Sequence, residues 1–76
     1  MKNDWKNIDK VELDNLFDEL FDVNRLSTEN LKLFENARAN SQYFGGHWQD
    51  YINATDLFDL KIEFLEDLGY SANDLI

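Results

Sequence analysis

The stretch Asn53–Gly69, NATDLFDLKIEFLEDLG, decides how the rest of the chain is read. Spaced at 100° per residue, Leu57, Phe58, Leu60, Ile62, Phe64, Leu65 and Leu68 share one side of a helix, while Asp56, Asp59, Glu63, Glu66 and Asp67 fill the other. The apolar arc covers roughly 200°, against the roughly 100° stripe of an ordinary surface helix, so this segment is expected to touch two neighbours and centre the core. Asn53 stands as N-cap with Asp56 three residues on, and Ile52 with Leu57 forms a hydrophobic staple. With Leu68 as C-cap, Gly69 takes the C′ position and Tyr70 packs back on Leu65, the Schellman arrangement. A helix over 53–68 is predicted.

Two further helices are expected to fold against it. Asp9 as N-cap, Glu12 three residues later and the Ile8/Leu13 staple start a helix over 9–24. Leu13, Leu16, Phe17, Leu20, Phe21 and Val23 gather on one face; Glu12, Asp14, Asp18, Glu19 and Asp22 gather on the other, with Val11 stranded among them. Asp14, Asp18 and Asp22 repeat at i, i+4, i+8, a row of like charges about 6 Å apart along the axis. Each neighbouring pair is unfavourable by roughly 0.2–0.5 kcal/mol, and the macrodipole disfavours acids near a helix C-terminus. Ser27 caps the next helix, over 28–44, whose inward face reads Leu33, Phe34, Ala37, Ser41 and Phe44. Its small members predict a close approach to the central helix, with Lys32 and Arg38 near the acidic ridges.

Gly45-Gly46 should end that helix in a left-handed conformation. At the two ends of the chain, Trp5 is expected to fold back over the open end of the bundle. A short C-terminal turn capped by Ser71 brings Leu75 and Ile76 beneath it. The fold class read from these patterns is all-α: one domain over 1–76, a compact three-helix bundle with a short C-terminal turn.

Composition narrows the function. Eleven Leu and six Phe among 76 residues supply a rich core for one small domain, and the absence of Pro with only three Gly favours helices over a many-turned β fold. No Cys means no disulfide framework, which suits a reducing compartment. No apolar run approaches the roughly 18 residues of a membrane span, and MKNDWKNIDK lacks a signal-peptide core, so a cytoplasmic location is expected, that of a host cell if the chain is phage-encoded. The net charge of −9 is concentrated in residues 9–24, at −5, and 50–76, at −6. Such a charge opposes direct contact with nucleic acid or an anionic membrane and attracts a basic protein surface.

Enzyme chemistry is not expected. One His and no Cys leave no Cys/His nucleophile and no His-rich zinc site, and Gly45-Gly46 lacks the Lys-Ser or Lys-Thr of a phosphate loop. A calcium loop starting at Asp22 fails because Leu26 and Leu33 occupy ligand positions. No cofactor or metal is expected. The exposed acids admit another use: five carboxylates over residues 12–22 place one charge per roughly 3 Å of helix axis, near the roughly 3.4 Å spacing along one DNA strand. Between the second helix and the central one lies HWQDYIN, with Tyr43 and Phe44 just before it, so that four aromatics and His47 fall within nine residues; Trp48 and Tyr51 either roof the core or anchor a partner.

In size, acidity and lack of catalytic machinery the chain is similar to small phage- and plasmid-borne inhibitors of restriction or CRISPR nucleases. That resemblance implies a non-enzymatic inhibitor, of the anti-restriction or anti-CRISPR type, that mimics nucleic acid in a basic groove of a nucleic-acid-handling enzyme. The candidate contact residues are Glu12, Asp14, Asp18, Glu19 and Asp22, then Asp59, Glu63 and Glu66, with Trp48 or Tyr51 as apolar anchor. The competing expectation is a small helical adaptor or assembly protein that binds a partner, or a second copy of itself as a homodimer, through apolar surface including Trp48 and Leu33.

Overall fold

Three side chains start three helices. In the structure, a computed structural model describing residues 5–75, helix α1 runs Lys10–Leu20, α2 Thr28–Phe44 and α3 Ala54–Asp67. The Asp9 carboxylate accepts from the Val11 and Glu12 amides, the Ser27 hydroxyl from the Asn30 amide, and the Asn53 side chain from the Asp56 amide at 2.8 Å. Each cap satisfies backbone donors that a helix start leaves without intrahelical partners. Short 3-10 turns occupy Val23–Arg25, Trp48–Tyr51 and Ala72–Leu75, and no strand occurs among the described residues.

The glycine stops work as chain punctuation. At the end of α3 the Gly69 amide donates to the Glu66 carbonyl (2.9 Å) and the Tyr70 amide to the Leu65 carbonyl (3.0 Å), the two bonds of a Schellman motif, with Gly69 at φ 97°. Gly45, which ends α2, also has positive φ but ψ of 167°. That is mirror-extended backbone, not the left-handed helical conformation expected, and it sends the chain sharply away from the helix axis.

The wide apolar arc of α3 is filled: Leu60, Lys61, Ile62, Phe64 and Leu65 are all buried. Leu13 and Phe17 of α1 meet it, and Trp5, Ile8, Ala72 and Leu75 join the same cluster. The Asp9 amide donates to the Leu75 carbonyl at 3.3 Å, tying the start of α1 to the C-terminal turn. Trp5 thus closes the core as expected; Ile76, expected beside Leu75, lies outside the described residues.

Two expectations about the helices are corrected. Helix α1 ends at Leu20, not at residue 24, because Phe21 turns to extended backbone (ψ 128°) and Asp22 becomes the cap of the next turn, accepting from the Asn24 amide at 3.0 Å. Three acids near a helix C-terminus with no basic residue in its last turn work against continuation, and an Asp side chain offers the backbone a local alternative. Phe21 gains by leaving: its ring lies 5.1–5.9 Å from those of Phe17, Phe34, Trp48 and Phe64. Second, α2 packs chiefly on the Trp48–Tyr51 turn and not closely on α3. Its buried positions are Asn30, Phe34 and Ala37, and Phe44 is exposed.

Phe21→Ala is expected to destabilise the domain by about 2–4 kcal/mol, somewhat below a fully buried Phe because the ring is partly exposed. A lowered urea midpoint together with loss of the near-ultraviolet dichroism of Trp48 checks this. Gly69→Ala should cost about 1–2 kcal/mol through its positive φ alone, since nothing lies within 4 Å of an added Cβ.

Candidate functional site

The outward carboxylates of α1 and α3 do not form one uniform surface. Glu12 and Glu19 are exposed and make no ion pair or side-chain hydrogen bond among the described residues. Asp18, also exposed, accepts from the Gln49 side-chain amide at 3.1 Å, which pins the Trp48–Tyr51 turn to α1. Asp22 is spent locally as a cap and lies 4.0 Å from the Arg25 guanidinium. The three-membered Asp14/Asp18/Asp22 row therefore does not exist as a helical ridge; Asp22 left it when α1 stopped.

Asp14 has a different task. Its carboxylate receives a 2.8 Å hydrogen bond from the Lys61 ammonium, whose residue is only 5 % exposed and which also sits 5.4 Å from the centre of the Phe17 ring. Sequence reading missed this pair. The signal was present: Lys61 is the one cation of residues 50–76, and at helical spacing it falls inside the apolar arc of α3. A cation there must find an anion or stay desolvated and unpaired. Lys32 and Arg38, expected near the acidic ridges, form no ion pair among the described residues.

On α3, Glu66 is exposed and accepts a long 3.4 Å bond from the Trp5 indole, while Asp59 and Glu63 are half-buried along the side facing the start of α2. Asp59 and Glu66 are both engaged by further groups. The carboxylates of α3 are thus less available than those of α1. Across the described residues, most acidic side chains still reach solvent, because the inner arcs of both helices are filled with apolar groups.

The aromatic candidates exchange roles. Trp48 stacks on Phe21 (29° between planes) and meets Phe34 edge-on at 4.9 Å, so it belongs to the core's aromatic cluster. Tyr51 is half-buried and its hydroxyl donates to the Gly45 carbonyl, fastening the turn to the end of α2. The exposed aromatics are Tyr43, at 82 %, and Phe44, at 69 %, paired edge to face at 4.7 Å on the last turn of α2. A pair this exposed gains little from the core. His47, with its Nδ1 accepting from the Gln49 amide, serves as a cap.

Among the described residues, no cluster of His, Asp or Glu could hold a metal ion and no helix is long and apolar enough to cross a membrane. No protein family, curated protein or solved structure matches this chain.

Asp14→Ala strands Lys61 and should lower stability by about 1–3 kcal/mol, below the 3–5 kcal/mol of a fully buried pair because the Asp14 side chain is 56 % exposed. Lys61→Met, which removes the buried charge and keeps the volume, should be neutral or stabilising by chemical denaturation.

Proposed function

We propose that this chain is a small non-enzymatic binding protein whose acidic helical faces occupy a basic groove on a nucleic-acid-handling enzyme, inhibiting it by standing in for nucleic acid. One observation carries the reading. The acids of α1 project from a rigid, well-packed helix and are scarcely neutralised: Asp14 pairs with Lys61, while Glu12 and Glu19 meet no cation of the described chain. Glu12, Asp18 and Glu19, with the Lys61-paired Asp14 between them, span on the order of 10 Å of helix axis, which leaves one unmatched charge per roughly 3.5 Å, near the spacing along one DNA strand. Being held on a folded scaffold, they need no ordering on binding, and the association should be electrostatically steered. An anti-restriction or anti-CRISPR protein of phage or mobile-element origin is the class this description fits.

A second reading, the adaptor that binds through apolar surface, is favoured by Tyr43 and Phe44. Their exposure at the protruding end of α2 supplies the aromatic anchor that Trp48, held in the core, does not. The two readings part on salt and on mutants. Under the first, Glu12→Lys with Glu19→Lys lowers partner affinity by tenfold or more at low salt, leaves the melting temperature within about 2 °C, and binding weakens steeply between low and physiological ionic strength. The captured partner is displaced by DNA or RNA. Salt-insensitive binding abolished by Tyr43→Ala and Phe44→Ala, with the charge reversal silent, would instead establish the adaptor.

A further inference from the structure

Between the first turn of α2 and the flank of α3 runs a groove of about 360 Å³. Glu29, Asp56, Asp59 and Glu63 line it with carboxylates, Leu33 supplies an apolar wall, and Asn30 completes the lining from α2. Lys32 is the opposing charge; it is exposed, and none of the four acids pairs with it. Asp56 is steadied by a 2.8 Å bond from the Asn53 side-chain amide, and Asp59 is engaged by another group, which leaves Glu29 and Glu63 the freer acceptors.

Asn30 is the informative residue. It continues the buried stripe of Phe34 and Ala37 at helical spacing, where a Leu or Ala would extend the core, and it is only 7 % exposed. Its backbone amide is used by the Ser27 cap, but its side-chain amide has no hydrogen-bond partner among the described residues. Among the described residues no fully enclosed side-chain polar atom is left unsatisfied, so the Asn30 amide opens to the groove. An amide that has no partner in the described chain and opens to the groove is available to bond a group that enters it.

We infer that this groove receives the guanidinium of an arginine side chain presented by the partner protein. The inference rests on the proposed binding to a basic surface and names the group that surface delivers. A guanidinium is planar, carries five donors and no acceptor, and is matched by acceptors on several sides: the Glu29 and Glu63 carboxylates and the Asn30 amide oxygen. Leu33 accommodates the methylene stem. The volume lies at the small end of ligand pockets and leaves room for an arginine side chain together with bridging water. A lysine ammonium, as a compact and strongly hydrated point charge, uses the same acceptors less well.

Nα-acetyl-argininamide and Nα-acetyl-lysinamide, titrated separately into the ¹⁵N-labelled full chain and followed by amide NMR, test the site. The arginine probe is expected to give saturable shifts at the Asn30 side-chain amide and at backbone amides of residues 29–33 and 56–63. The lysine probe should bind about two- to fivefold more weakly. Glu63→Gln, a half-buried wall position, should weaken the arginine probe by a similar two- to fivefold, the loss of one partly exposed ion pair, whereas Glu35→Gln, an exposed acid of α2 outside the groove lining, changes nothing. Asn30→Ala should abolish the local preference; if it fails to fold, Glu63→Gln still decides. Equal affinity for both probes, shifts spread over α1, or no saturable shift at Asn30 overturns the site. Any of these leaves the salt-sensitive partner binding standing, and an intact arginine site with salt-insensitive partner binding overturns only the inhibitor reading.

Discussion

The molecule depends on one knot of aromatic rings. Phe17 and Phe21 come from α1 and its C-cap, Phe34 from α2, Trp48 from the following 3-10 turn and Phe64 from α3, with neighbouring centroids 4.9–6.4 Å apart. Phe21 touches all four others. Aromatic side chains combine large buried area with preferred offset and edge-on geometry, so this contact both stabilises the domain and sets how its segments meet. In a chain of this length, where little surface can be buried, much of the fold's definition falls on so few side chains.

Consequences spread outward from that knot. Because Phe21 must reach it, α1 gives up its last turn and Asp22 becomes a cap, breaking the acidic row. Because Trp48 fills the space beside Phe34, α2 rests on the Trp48–Tyr51 turn, its inner stripe runs through Asn30, Phe34 and Ala37, and its last turn projects with Tyr43 and Phe44 in solvent. Gln49 reaches Asp18 and Tyr51 reaches the Gly45 carbonyl, so the same turn is tied to both helices by hydrogen bonds. One packing requirement thereby decides which aromatics are structural and which face outward.

Charge is arranged by the same logic. Apolar groups claim the inner arcs of α1 and α3, so the acids are left to the outside, with a single inward cation among the described residues, Lys61, held by Asp14. The surface is not evenly acidic. The carboxylates of α1 stand on an open face, whereas those of α3 are partly engaged or drawn into the groove beside Asn30. Helix α1 presents exposed charge, whereas the start of α2 and the flank of α3 enclose a recess with directional acceptors.

Local chemistry was legible in the residues themselves. Asp9, Ser27 and Asn53 cap because an oxygen one position before a helix satisfies orphan amides wherever that helix sits, and Gly69 ends α3 because only glycine takes its φ without strain. Helical periodicity likewise announced three helices and the outward turn of the acids. Tertiary structure alone decided where α1 stopped, that Lys61 would go inside with Asp14, that Trp48 would be core while Tyr43 and Phe44 stayed out, and that Asn30 would open into an acidic groove. Each of those outcomes turns on side chains 13 to 47 positions apart competing for the same space or the same charge, and no spacing along one helix encodes which of them wins.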